Sequence, residues 1–356
     1  MPKLDDKKQI QKLDSGKVLE SINLLDKQIE QAEKETQRLE IPENYKQCNS
    51  IVVCGMGGST LGTHVIKALF SDKLGTPIKI INNYQLPNFV DDHTLCILSS
   101  YSGNTEEVLK IAEEAKNKQL KIIGITTGGK LADFLKNHNF PAYIFDPKYN
   151  TSNQPRMGLG YSIMGQLGIL ARAGFLNLEK QEIEKIISAV RETTKKYGLE
   201  IETKNNLAKQ LAKNIQEKIP IIVGSEFLEG NLHILANQIN ENAKNFSSYF
   251  LLPELDHHLL EGLAHPKGNK NLHFLFIKSS LYNERVKSRY YITEEVLSKN
   301  KISYSEFAPR FQTKLAQSFE ILVLGSFISF YLAMLNNEDP SKIPWVNYLK
   351  NKLKET

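Results

Sequence analysis

Tryptophan occurs once and cysteine three times in 356 residues. The thiols Cys48, Cys54 and Cys96 form an odd set without CxxC spacing, which argues against both a disulfide framework and a zinc-binding cysteine cluster. Cys54 and Cys96 fall in apolar runs, as reduced core thiols of a cytoplasmic protein do. No arginine-rich block or basic stripe accompanies the net charge of +5, because 45 basic and 40 acidic residues alternate along the whole chain. Nucleic-acid binding, which needs a concentrated positive face, is not indicated. The opening MPKLDDKKQIQKLD is too charged for a secretory signal. Only one apolar run reaches spanning length, at residues 316–335. Its glutamine, its serines and Glu320, together with the lack of flanking basic anchors, fit a buried core helix better than a membrane span.

What the chain does contain is a recurring order of apolar run, small-residue turn and helical stretch. Residues 8–40 carry apolar side chains at helical spacing and stop before Pro42, which predicts an N-terminal helical arm over 1–46. IVVCG at 51–55 reads as a strand buried on both faces, and the apolar run recurs in IKIIN at 78–82, TLCILS from 94 and KIIGITT at 121–127. The pattern begins again with IPIIVGSEFLEG at 219–230, an echo of IVVCGMGGSTLG, followed by LHFLFIK at 272–278. Strands alternating with helices imply right-handed βαβ units whose ligands sit at the carboxyl ends of the strands. The expected fold class is α/β, with two doubly wound parallel-sheet subdomains at 47–200 and 207–335, flanked by helices, and a C-terminal helical tail at 336–356.

Five stretches could carry chemistry. GMGGSTLG at 55–62 lacks the third glycine of a dinucleotide loop and the lysine of a Walker loop, leaving a turn where Gly58 and Ser59 approach either a ligand or nothing. In SYSGNTEE at 100–107, Ser100, Ser102 and Thr105 supply hydroxyls around Gly103 at a helix start. That pattern suits a phosphate held by neutral donors, and equally a helix capped by Asn104 or Thr105. Arg156, in TSNQPRMGLG, is either a surface ion-pair partner or a cation for a reacting oxygen. Glu241 and Lys244 lie on the polar stripe of a helix, where a surface pair is the plain expectation. PELDHH places Glu254, Asp256, His257 and His258 together, a poor geometry for metal and a better one for a single imidazole acting as acid and base.

Taken together, GMGGS, SYSGNTEE, NQPRMGLG, NENAK, PELDHH and the C-terminal DPSKIPWVNYLK resemble, in order, the bifunctional phosphoglucose/phosphomannose isomerases of the sugar isomerase (SIS) superfamily. The resemblance implies an aldose–ketose isomerase interconverting glucose 6-phosphate, and mannose 6-phosphate, with fructose 6-phosphate through a cis-enediol. It implies a substrate phosphate held by Gly58, Ser59, Ser100, Ser102 and Thr105, with Glu241 as the base. It further implies ring opening by His257, assistance at the reacting oxygens by Arg156, and a site-lining Lys350. No metal and no organic cofactor is implied, and the assembly would be a homodimer in which His257 reaches the neighbouring subunit's site. This chain departs from the family pattern in flanking His257 with Asp256 and His258, and a neighbouring carboxylate would favour the charged imidazolium. Other readings are a sugar-phosphate sensor without turnover and an isomerase of another phosphosugar or an aminosugar phosphate.

Overall fold

The computed structural model describes residues 4–355; residues 1–3 and 356, at the ends of the arm and tail, lie outside the described residues. The first half contains β1 (Ser50–Cys54), α4 (Gly58–Leu69), β2 (Ile78–Ile81), β3 (Thr94–Ser99), α5 (Glu106–Asn117), β4 (Lys121–Thr126), α6 (Gly129–Asn137) and β5 (Ala142–Ile144), after three short helices α1 (Lys7–Leu13), α2 (Val18–Asn23) and α3 (Leu25–Thr36). Two helices, α7 (Leu159–Arg172) and α8 (Lys180–Tyr197), lead to the second half. That half runs α9 (Leu207–Ile215), β6 (Ile219–Ser225), α10 (Glu229–Ala243), β7 (Ser248–Leu252), α11 (Leu255–His258), β8 (Leu272–Ile277), α12 (Glu284–Lys299) and β9 (Ser303–Phe307). A long helix, α13 (Lys314–Leu335), and a final one, α14 (Pro344–Leu353), complete the chain.

All strand pairs are parallel, in the orders β2-β1-β3-β4-β5 and β7-β6-β8-β9. The two halves therefore repeat one topology, in which strand order reverses beside the first strand of each sheet. β3 is buried along its whole length and β4 at all but its first residue, as strands covered by helices on both faces must be. In each sheet the crevice for a ligand lies outside the carboxyl ends of the two strands at that reversal. These are β1 and β3 in the first half and β6 and β8 in the second.

The apolar helix reads as expected: α13 would be long enough to cross a membrane, yet every residue of its apolar window is buried inside the fold. It packs against α8, α9 and α10, and also touches α2 and α4. One apolar cluster runs from Leu4 through both halves to Leu335.

The N-terminal arm differs from a single helix. At Asp14 the chain turns, and the carboxylate accepts the backbone N–H groups of Val18 (2.8 Å) and Leu19 (2.9 Å), capping the next helix from outside it. Of the helices that follow, α3 lies over α7, with Gln28 donating to the carbonyl of Met157 at 3.1 Å.

Candidate active site

At the reversal between β1 and β3, two loops meet. Ser59 Oγ, in the first turn of α4, accepts the backbone N–H of Tyr101 at 3.0 Å, and Ser99 Oγ donates to the carbonyl of Ser59 at 2.7 Å. Gly103 is in the left-handed region (φ +66°), and a Cβ there would stand 1.7 Å from the carbonyl oxygen of Gly128. Only glycine lets these loops close on one another. Thr105 precedes α5 but makes no side-chain cap; its Oγ1 instead lies 2.8 Å from Ser100 Oγ. Asn104 does not cap either, since its Oδ1 accepts from Lys130 N at 3.2 Å. The Ser100 and Thr105 hydroxyls are thus turned toward each other at a helix start, where backbone N–H groups and the helix dipole favour an anion. Glu106, the first residue of that helix, is exposed to solvent.

The equivalent loops of the second half are occupied by their own side chains. Glu226 Oε1 accepts Asn283 N at 2.9 Å, and Tyr282 Oη accepts Ser225 N at 3.2 Å. A carboxylate already stands where the repeat would place an anion, so the two halves are alike in topology and unlike in chemistry. A cleft of about 500 Å³ opens at the far end of α4, between Lys67, Lys79, Glu226 and Tyr249, and none of the residues named for the site lines it.

Gly58 connects the hydroxyl loops to the next element, because a Cβ on it would come within 2.9 Å of Arg156 N. The Arg156 side chain is only 1% exposed, contrary to a surface ion pair. Its Nε donates to Asn242 Oδ1 (2.6 Å), Nη1 to Gln154 Oε1 (2.9 Å) and Glu241 Oε2 (3.2 Å), and Nη2 to the carbonyls of Pro340 (2.7 Å) and Ser341 (3.2 Å). All five N–H groups are engaged, so a substrate oxygen reaches this guanidinium only by replacing one of these acceptors. Burial pulls the Arg156 pKa downward, and the neighbouring Glu241 carboxylate opposes that. The Glu241 side chain is 34% exposed, which leaves its carboxylate open to an incoming molecule.

Lys244 is not the partner of Glu241. It ends α10 in the left-handed region (φ +51°) and donates to the carbonyls of Asn242 (3.1 Å) and Asp339. Burial first, and Arg156 second, push its pKa down to about 8. Composition offers no signal for these backbone contacts.

His257 and Lys350, both expected in the site, are exposed to solvent. His257 and His258 are exposed on α11, just beyond the carboxyl end of β7. Among the described residues, neither histidine touches Arg156 or Glu241 through a hydrogen bond. Asp256 does not serve its neighbour His257 as a hydrogen-bond acceptor: its carboxylate accepts from Arg289 Nη1 (2.8 Å) and Thr293 Oγ1 (2.9 Å) on α12. Lys350 is exposed on α14, a helix with no buried residue.

Similarity to known proteins converges on the same ground. Residues 44–138 match the SIS domain, and residues 204–353 match the bacterial phospho-glucose isomerase C-terminal SIS domain. The chain is 31% identical over 343 residues to a bifunctional phosphoglucose/phosphomannose isomerase of Caldicellulosiruptor bescii, covering 95% of this chain and 99% of that protein. The chain belongs to that family. A second bifunctional phosphoglucose/phosphomannose isomerase, from Aquifex aeolicus, is 28% identical over 89% of this chain and 94% of its own length. Among solved structures, a hypothetical protein from Thermus thermophilus superposes with a TM-score of 0.75 at 16% identity, covering 98% of this chain and 94% of that one. At that identity the likeness bears on the fold, and the fold is the SIS type.

Proposed function

We propose that this protein is an aldose–ketose isomerase that interconverts fructose 6-phosphate with glucose 6-phosphate and mannose 6-phosphate through a cis-enediol. The observation that carries this reading is the Arg156–Glu241 pair, held beside the hydroxyl loops by the seating of Gly58 on Arg156. A half-open carboxylate can take a proton from one carbon and return it to the next. A buried cation offsets the negative charge that develops on oxygen meanwhile.

In this scheme Ser59, Ser100, Ser102 and Thr105 receive the phosphate, with Gly58 allowing close approach. The carboxylate of Glu241 is the base. As the enediolate oxygen forms, Arg156 Nη1 moves its hydrogen bond from Gln154 or Glu241 to that oxygen. His257 moves the ring-opening proton. Its exposure, and the lack of a hydrogen bond to Arg156 or Glu241 among the described residues, favour a homodimer in which it completes the neighbouring subunit's site, with Lys350 entering from the tail.

The test is a coupled assay of glucose 6-phosphate and mannose 6-phosphate formation from fructose 6-phosphate, with Glu241→Gln alongside. Turnover that falls by about 10³-fold in the variant, with phosphosugar binding retained, supports the scheme. Binding without turnover in the unaltered protein overturns it in favour of a sensor.

A further inference from the structure

Three consecutive backbone carbonyls, those of Asp339, Pro340 and Ser341, are gripped by two cations. Arg156 takes Pro340 and Ser341, and Lys244 takes Asp339. The same ammonium holds the carbonyl of Asn242, one of the last of α10, which a helix end leaves without an intrahelical partner. On the opposite side the Asp339 carboxylate accepts Ser341 N at 3.0 Å and the hydroxyl of Ser15. Segment 339–341 is therefore where the N-terminal arm, the Arg156 turn and the end of the base-bearing helix are tied together.

Lys244 occupies a left-handed position that glycine or asparagine fills more cheaply at a helix end. A lysine there supplies what those residues lack, a long cationic donor reaching across to another segment. We propose that Lys244 is a positioning residue for the isomerisation: by clamping the end of α10 to segment 339–341, it sets the register between the Glu241 carboxylate and the Arg156 guanidinium. This rests on the isomerase reading given above. The physical stake is distance, since a base displaced by about 1 Å loses roughly 100-fold in rate. The clamp borders a cleft of about 360 Å³ lined by Gln216, Glu217, Asn245, Asn336 and Glu338 as well as Lys244 itself. A small amine can enter there.

The variant of choice is Lys244→Gly, which suits the left-handed backbone and so removes the ammonium without adding strain. With fructose 6-phosphate as substrate, kcat is expected to fall about 30-fold while KM stays within about 3-fold, because the phosphate loops are untouched. Ethylamine added to the variant is expected to restore part of kcat and to leave the unaltered protein unaffected. An unchanged kcat in Lys244→Gly overturns the proposal. If the unaltered protein proves inert on every hexose 6-phosphate tried, the isomerase reading falls, and amide hydrogen exchange over 339–343 then reads the clamp alone. Faster exchange in the variant keeps the clamp, and equal exchange removes it.

Discussion

Arg156 Nη1 lies 3.2 Å from Glu241 Oε2, joining a fully buried cation to a carboxylate that faces solvent. The pair is asymmetric in what each side needs. The guanidinium depends on its acceptors because an uncompensated charge in the interior is costly, whereas the carboxylate keeps its contact with solvent.

Replacing Arg156 is expected to be a folding defect as much as a catalytic one. Arg156→Ala leaves Asn242, Pro340 and Ser341 without their donor, and a buried acceptor left unsatisfied costs about 1–3 kcal/mol. Arg156→Lys keeps the charge but not the planar fork, so it recovers only part of that stability. Chemical denaturation of the two variants checks the order; equal stability of Arg156→Ala and the unaltered protein would contradict it.

The hydroxyl loop separates binding from folding. Ser102 is exposed, and its Oγ accepts only the weak 3.3 Å contact from Asn104 N, so Ser102→Ala is expected to leave the melting temperature unchanged. Loss of one hydrogen bond to a charged phosphate raises KM about 10-fold. Gly103→Ala, by contrast, forces a side chain against Gly128 and should lower both stability and phosphosugar binding. Thermal melts beside steady-state kinetics distinguish the two.

The two adjacent histidines are not equivalent in what they touch. The ring of His258 sits 5.9 Å from that of Phe250, whereas among the described residues no ring contact or side-chain hydrogen bond involves the ring of His257. His257→Ala is expected to reduce turnover of the closed-ring sugar by about 100-fold, the scale of general acid–base assistance, and His258→Ala by far less. Equal losses would reassign the role.

Acid should weaken the fold through one buried and one half-buried imidazole, both held neutral. His64 and His273 are both pushed down to about 4 from 6.5, chiefly by burial. His273 has Ser303 Oγ and Ser305 Oγ 2.9 Å from its two ring nitrogens, and His64 packs on the His233 ring with Lys67 nearby. A base with a depressed folded pKa binds fewer protons folded than unfolded. The stability it contributes is complete above 6.5 and is lost as pH falls toward 4. Lys244 obeys the same sign in another window, so its contribution grows as pH rises from about 8 toward 10.5. Urea unfolding at a series of pH values reads both slopes, and a flat profile from pH 6.5 to 4 would refute the first.

The sheets were legible wherever strands are buried on both faces, because β1, β3, β4, β6 and β8 leave continuous apolar runs. The edge strand β2 was read too, from its isoleucines, but β5, β7 and β9 were not, since SYFLL and SYSEF are only partly buried and β5 is three residues long. The turn at Asp14 had a signal in its Asp-Ser-Gly sequence, overridden by the helical spacing on either side. The hydroxyl loop, the arginine and the glutamate stand out by residue type, and the resemblance joined them. Lys244 and segment 339–341 lie in the NENAK and DPSKIPWVNYLK stretches, but the contact between them was invisible because backbone carbonyls carry no sequence identity. Glu226 was equally silent, as one glutamate looks like another until its acceptor role on Asn283 is seen.

The central helix α13 has a consequence for how the chain is made. It covers α8 and α9 and reaches α2 and α4, yet it begins only at Lys314. The earlier segments therefore leave the ribosome long before the element that roofs them exists. A nascent chain halted before α13 would display the apolar faces of α8 and α10 to water, a form prone to aggregation and to capture by chaperones. Synthesis of the two halves is sequential, and the helix faces that α13 covers are the last to be buried.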